Sequence, residues 1–242
     1  MDVVYCGPAP IPANLLESWR FDAAAAGLIA ALAALHAYGA GRRPRTFAAA
    51  IAALALLFMS PLCALAAALF SGRALHHTLL VAAVAPLLAA SFPARPGDRR
   101  ALGAVTAVHA LVFWGWHAPA LYDAAVHSPY LYWAMQLSLL ASGVLMWREI
   151  LRDGPAGPLI LALLATVVQM GMLGALLTFA RDPLYAPHFA TTAPFGLDAR
   201  TDQQLAGLVM WVPAALPYLA VALRLVSVRL ARCDAAAGSR PG

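Results

Sequence analysis

The sequence predicts an all-α fold: a polytopic membrane helix bundle of seven transmembrane helices, with the N-terminus outside (periplasmic) and the C-terminus cytoplasmic. Three observations predict it. First, 62% of the 242 residues are hydrophobic and 11% are charged, whereas a soluble domain carries about 25% charged residues. So few charges cannot build a water-soluble surface. Second, seven stretches are apolar over the roughly 20 residues a helix needs to cross the hydrocarbon. Third, the arginines fall unevenly on the connections between those stretches.

In chain order, residues 1–21 form an outer N-terminal segment and residues 22–230 the transmembrane domain. The spans within it are 22–40, 46–69, 74–92, 101–118, 130–150, 157–180 and 203–230. The last is long, and its start at Asp202 to Gln204 sits in the interface. Residues 231–242, ARCDAAAGSRPG, are small and polar and read as a disordered cytoplasmic tail. The start of the chain lacks the basic n-region and apolar run of a signal peptide, so the first apolar segment is expected to stay in the membrane. There is no internal repeat and no second domain. The connections at 41–45, 93–100 and 148–156, with the tail from 224, hold twelve arginines. The opposite side holds four: Arg20, Arg73, Arg181 and Arg200. Positive residues favour the cytoplasmic side, and seven spans then put the two termini on opposite faces. The longest outer connection, 181–202, is of the kind that lids a site or meets a partner.

Several function classes are excluded. All sixteen basic residues are arginine, so no lysine can form the Schiff base of a retinal pigment. A net charge of +5 is read as loop arginines facing anionic lipid, not nucleic acid. Cys6, Cys63 and Cys233 have no CxxC spacing and are expected to form no disulfide framework. No HExxH, nucleophile–base spacing or inverted repeat is present, so neither an enzyme nor a transporter is expected.

With that orientation, the polar side chains separate by face. Outside lie Cys6, His76, His77, His117, Asp123, His127, His188, Asp198 and Asp202. In the outer half of the bilayer lie Met59, Cys63, Met135 and His109. A soft nitrogen- and sulfur-rich set on an oxidising face suits copper. Plainer roles compete with that reading. His127 and His188, in loops, are expected to be solvated. Trp116 and Tyr122 read first as part of an interfacial aromatic belt with Trp114, Tyr130, Tyr132 and Trp133. Asp123 and Asp202 are placed to cap the segment after Pro119 and the last span, with Gln203 in the latter's first turn. His109, about two turns inside its span, calls for an assigned partner. Adjacent residues on a helix point about 100° apart, so one of His76 and His77 is expected to face the bundle and the other the headgroups. Arg73, one turn before His77, coordinates no metal and repels a cation. Spans three, four and five are expected to converge at their outer ends.

Several stretches are similar to one known family. YCGPAPIP, SPLCALAAALFS, WHAPALYDAAV, GALLTFARDPLYAPHFATTAPFGL and DQQLAGLVMWVPAALPYL resemble, in order, blocks of the multi-span CtaG-type cytochrome c oxidase assembly factors. The resemblance implies an assembly factor for a haem–copper cytochrome c oxidase in the bacterial inner membrane. It implies oxidase subunits and the lipid bilayer as partners, and copper delivery or insertion on the periplasmic face. The alternative is a metal-free scaffold or accessory subunit of a respiratory complex. The resemblance also implies histidine pairs spaced i, i+4 in spans three and five. Here those positions hold Arg73 with His77, and Tyr132 with Gln136, with His76 where the family has glutamine. His77 and His117, helped by His76, are then the candidate copper ligands.

Overall fold

The structure is a computed structural model that describes residues 4–39, 41–92, 101–152 and 154–238. Arg95, Arg99, Arg100, Arg240 and the last four residues lie outside the described residues, as do the side chains of Arg232 and Cys233. Among the described residues the fold is all-α, with no strand.

Ten α-helices follow in order: α1 Ala23–Tyr38, α2 Pro44–Met59, α3 Pro61–Ala68, α4 Phe70–Leu79, α5 Ala85–Ser91, α6 Ala101–Trp116, α7 Pro119–His127, α8 Pro129–Ile150, α9 Ala156–Phe179 and α10 Ala199–Gly238. Three helical stretches are long and apolar enough to cross a membrane: Phe70–Ser91, Ala156–Phe179 and Ala199–Ala231. The number rises to five if each of two bent pairs counts as one span, α2 with α3 and α6 with α7. α1 is apolar but shorter. Seven spans are therefore more than length and composition establish.

Prolines explain why the predicted boundaries differ. Span two is not one rod: Ser60 and Pro61 break it, and the halves bend by 47°. Ser60 Oγ accepts from Leu62 N and caps α3, while Pro61 takes its first turn, where a missing N–H costs nothing. Pro119 likewise ends α6 and opens α7, a short helix turned through 74°. α10 runs on to Gly238, well past Ala231, where the sequence suggests a disordered tail.

α4 and α5 form one continuous path through a π-turn at Leu80–Val84. In that turn Ala85 N donates to Leu80 O, five residues back. The same pattern would pair Val81 O with residue 86, but that is Pro86, which has no N–H. The indole of Trp147 on α8 supplies the donor instead, at 2.9 Å. π-Turns inside helices often mark functional sites, and this one follows directly after the polar half of α4.

The Phe70–Ser91 path is the most enclosed of the three long stretches. α10 packs along α9 and against α4, α6 packs on α8, and α3 lies against α4. Where α9 meets α10, a Cβ on Gly207 would sit 2.4 Å from Gly174 O. The backbones approach so closely that only glycine fits, as small residues allow in membrane interfaces. The outward faces stay apolar: Leu111, Leu161 and Leu223 are 72%, 69% and 69% exposed. Exposed leucine on helix after helix is a surface for lipid, not water, and the protein is a membrane protein.

Candidate functional site

The helix starts and ends near residues 70, 117, 129, 179 and 199 bring the N-terminal segment, α4, α7, α8 and the 181–198 connection to one end of the bundle. There the buried polar side chains collect. Arg73, His76, His77, His117, Gln136, His188, Asp202 and Gln203 are all at most 3% exposed.

Arg73 is at the centre. It is fully buried, and no carboxylate among the described residues pairs with it. Its Nη1 donates to Tyr132 Oη at 3.3 Å, its Cζ lies 5.2 Å from the Tyr132 ring centroid, and its Nη2 is 3.8 Å from Cys6 Sγ. Its Nε has no partner. A buried guanidinium without a counter-ion is costly, so the aromatic face and hydroxyl of Tyr132 only partly offset its desolvation.

Cys6 is joined to Cys63 in a disulfide. This corrects the expectation that the cysteines form no disulfide. Their separation of 57 residues matches no short motif, yet the fold brings their Cα atoms to 5.5 Å, a normal bridging distance. The bridge ties the N-terminal segment to α3. Tyr5 reinforces it: the ring stacks on Tyr132, the hydroxyl donates to Asp22, and Trp133 Nε1 donates to Tyr5 Oη. Burial and the nearby Asp22 carboxylate raise the Tyr5 hydroxyl to about 12.

Both His76 and His77 face the interior, at 0% and 1% exposure. This corrects the expectation that one would reach the headgroups. α4 is enclosed on all sides, so two directions 100° apart both meet protein. His76 packs edge-on against Phe58 and has no well-aligned hydrogen bond. His77 Nε2 lies 3.4 Å from the Gln136 amide nitrogen, and its Nδ1 is unpaired. His117 faces it with ring centroids 5.6 Å apart. His117 Nδ1 donates to Phe113 O at 2.6 Å, which leaves Nε2 with a free lone pair. The expected convergence of spans three, four and five is thus seen as contacts of His77 with His117 and Gln136. No group of three or more His, Cys, Asp and Glu side chains able to hold a metal ion exists among the described residues.

The other candidates separate. His109 is buried deeper, and its Nδ1 pairs with Ser142 Oγ at 3.0 Å. Trp116 donates to Ser138 Oγ at 2.8 Å. Tyr122 is 1% exposed rather than interfacial and bonds His188 Nε2 at 2.7 Å. His188, expected to be solvated, is 2% exposed, and burial lowers its pKa to about 3. Asp123 caps nothing, because α7 starts earlier, at Ala118–Pro119; its carboxylate faces His127 at 3.7 Å on the surface. Asp202 does not cap its own helix. Asp198 accepts from Thr201 N there, which lowers its carboxyl pKa. Asp202 instead reaches across to α4 and accepts from Phe70 N, Ser71 N and Ser71 Oγ at 2.6, 3.1 and 2.5 Å. Gln203 holds the outer connection, accepting from Leu184 N and donating to Leu177 O.

Cys63, Tyr132, Gln136 and Ser71 complete the cluster. The i, i+4 spacing of Arg73 with His77 and of Tyr132 with Gln136 signals two helix faces, and the structure sets these faces against each other.

The fold and this cluster define a helical membrane protein with one buried cationic, histidine-rich centre at one end of the bundle. The model of the cytochrome c oxidase caa3 assembly factor family matches residues 100–232, more than half of the chain, and the protein belongs to that family. The match covers α6 to α10 and not α4, which carries Arg73, His76 and His77. No curated protein matches the chain, and no solved structure does.

Proposed function

We propose that this protein assists assembly of a haem–copper cytochrome c oxidase from the periplasmic face of the bacterial inner membrane, working as a scaffold for oxidase subunits rather than as a holder of tightly bound copper. Family membership supports the assembly role. Seven spans with the arginine-rich connections inside would put the buried cluster at the periplasmic end. One observation carries the scaffold reading: the Gln136 amide engages His77 Nε2, and the Arg73 guanidinium stands one turn away. A metal would have to displace the amide and accept a fixed positive neighbour.

A second reading, copper as transient cargo, rests on His117. Its Nδ1–H is fixed on a carbonyl, the outer-shell arrangement typical of a metal-binding imidazole. Its free Nε2 faces His77. Two imidazoles would hold copper weakly enough to pass it on.

One experiment separates the readings. The purified protein is loaded with Cu(I) and titrated with a competing chelator, beside His77→Ala and His117→Ala variants. The scaffold reading expects no stoichiometric copper above the double variant, with oxidase subunits still captured from native membranes. Stoichiometric copper lost in either variant would establish the cargo reading. Recovery of the protein without any oxidase subunit would refute the scaffold.

A further inference from the structure

The Cys6–Cys63 bridge lies where a disulfide serving only as a tether has no reason to be. Cys6 Sγ is 3.8 Å from Arg73 Nη2 and 3.6 Å from Tyr132 Oη. Arg73 also donates to that same hydroxyl. Thus a fully buried guanidinium, with no carboxylate partner among the described residues and an unpaired Nε, is aimed at one sulfur of a disulfide. Neutral sulfur gives the cation little. A thiolate at Cys6 would give it a counter-ion and would accept the Tyr132 hydroxyl as well. Anionic sulfur beside a cation is stabilised, and a disulfide whose reduced form is stabilised becomes the stronger oxidant.

We propose that Cys6–Cys63 is a redox-active disulfide, reduced by the dithiol of a partner protein, with Cys6 as the leaving thiolate and Arg73 with Tyr132 as its positioning residues. A thiolate of the incoming dithiol attacks Cys63 Sγ. The bond between Cys63 and Cys6 breaks, and its electron pair leaves on Cys6, facing Arg73. The second thiol of the partner, as thiolate, then attacks the mixed disulfide and releases Cys63, which takes one proton. The partner dithiol is oxidised to a disulfide, the Cys6–Cys63 bond is reduced by two electrons, and one proton goes to solvent. Attack at Cys63 fits its place in the first turn of α3, beside the break at Ser60. The other half of the bridge rides on the N-terminal segment, which has only one short 3-10 turn of its own, Leu15–Glu17.

This inference stands apart from the assembly reading, because its test needs only the purified protein. In a Cys233→Ser background, the protein in lipid–detergent micelles is equilibrated with glutathione redox buffers. The mixture is quenched with acid, alkylated, and the reduced fraction read by mass. Arg73→Met is expected to shift the equilibrium at least tenfold toward the disulfide, about 30 mV for a two-electron couple. Arg73→Lys, which keeps the charge, is expected to stay within threefold of wild type. Should Arg73→Met fail to fold by circular dichroism, Tyr132→Phe takes its place, with an expected shift of about threefold in the same direction. An Arg73→Met equilibrium within twofold of wild type overturns the proposal. So does a wild-type bridge that resists every glutathione poise while the helices remain native, or a folded Tyr132→Phe with no shift.

Discussion

Asp202 is the residue whose removal tests the architecture of the site most sharply. It starts α10 in sequence, but its carboxylate closes the open N-terminus of α4, 131 and 132 residues away, through three hydrogen bonds at full burial. Asp202→Ala removes an acidic cap worth about 1–2 kcal/mol and leaves two buried N–H groups and a hydroxyl unpaired, at about 1–3 kcal/mol each before relaxation. These terms overlap, so the expected net loss is about 3–5 kcal/mol, the range found when a buried charged partner is removed. At roughly 2–4 °C per kcal/mol for a chain of this size, the melting midpoint should fall by roughly 6–20 °C. Asp202→Asn keeps one acceptor and the shape, and should lose about 1–2 kcal/mol; Ser71→Ala deletes one bond and should lose about 1 kcal/mol. The assay is thermal unfolding in detergent followed by circular dichroism, with all three variants at matched protein and lipid concentrations. An Asp202→Ala midpoint within about 2 °C of wild type would refute the claim that this carboxylate ties α10 to α4.

Two further outcomes follow from single groups. Trp147→Phe keeps the stacking on Tyr218 but leaves Val81 O, already denied a backbone donor by Pro86, without a partner; a loss of about 1–3 kcal/mol is expected by thermal unfolding, and none if the π-turn satisfies that carbonyl internally. His188 is held neutral by burial, with its pKa lowered to about 3, so an opened connection binds a proton below the ordinary value of 6.5 while the closed one does not. The closed form should therefore lose stability as pH falls from about 6.5 toward 3, at about 1.4 kcal/mol per unit. Hydrogen exchange across 185–197 should then speed up between pH 7 and pH 5 in wild type, and His188→Gln should remove that dependence.

The helices were legible because lipid imposes a simple rule: apolar runs of sufficient length, separated by polar connections. The bends were only half legible. Pro119 is visible as a stop, but Pro61 reads equally well as a tolerated proline within one span; what decides is that Ser60 caps a new helix. The candidate site was legible as a list and not as a contact map. His77, His117 and Arg73 stand out by residue type, yet the pairing of Cys6 with Cys63 depends on a chain reversal that no spacing encodes. Asp202 shows the same limit. Its position predicts a cap, and it is one, but for the start of a different helix. Local pattern identifies the chemistry a residue can do; only packing chooses its partner.

The distribution of unpaired polar atoms sharpens the functional reading. Ten buried side-chain nitrogen and oxygen atoms lack a hydrogen bond among the described residues, and six belong to Arg73, His76, His77, Gln136 and His188. Deeper in the bundle, Trp114 finds Gln169 and Trp147 finds Val81 O. A buried polar network that leaves its own members unpaired costs stability, and natural chains break local rules of this kind mainly where function demands it. The surplus here is of cationic and imidazole nitrogen, clustered where the N-terminal segment and the 181–198 connection close over α4. A cation is not what that surplus lacks. It lacks acceptors, such as carboxylates, carbonyls or a thiolate, and these are groups that an assembling protein chain, or a reduced Cys6, can supply.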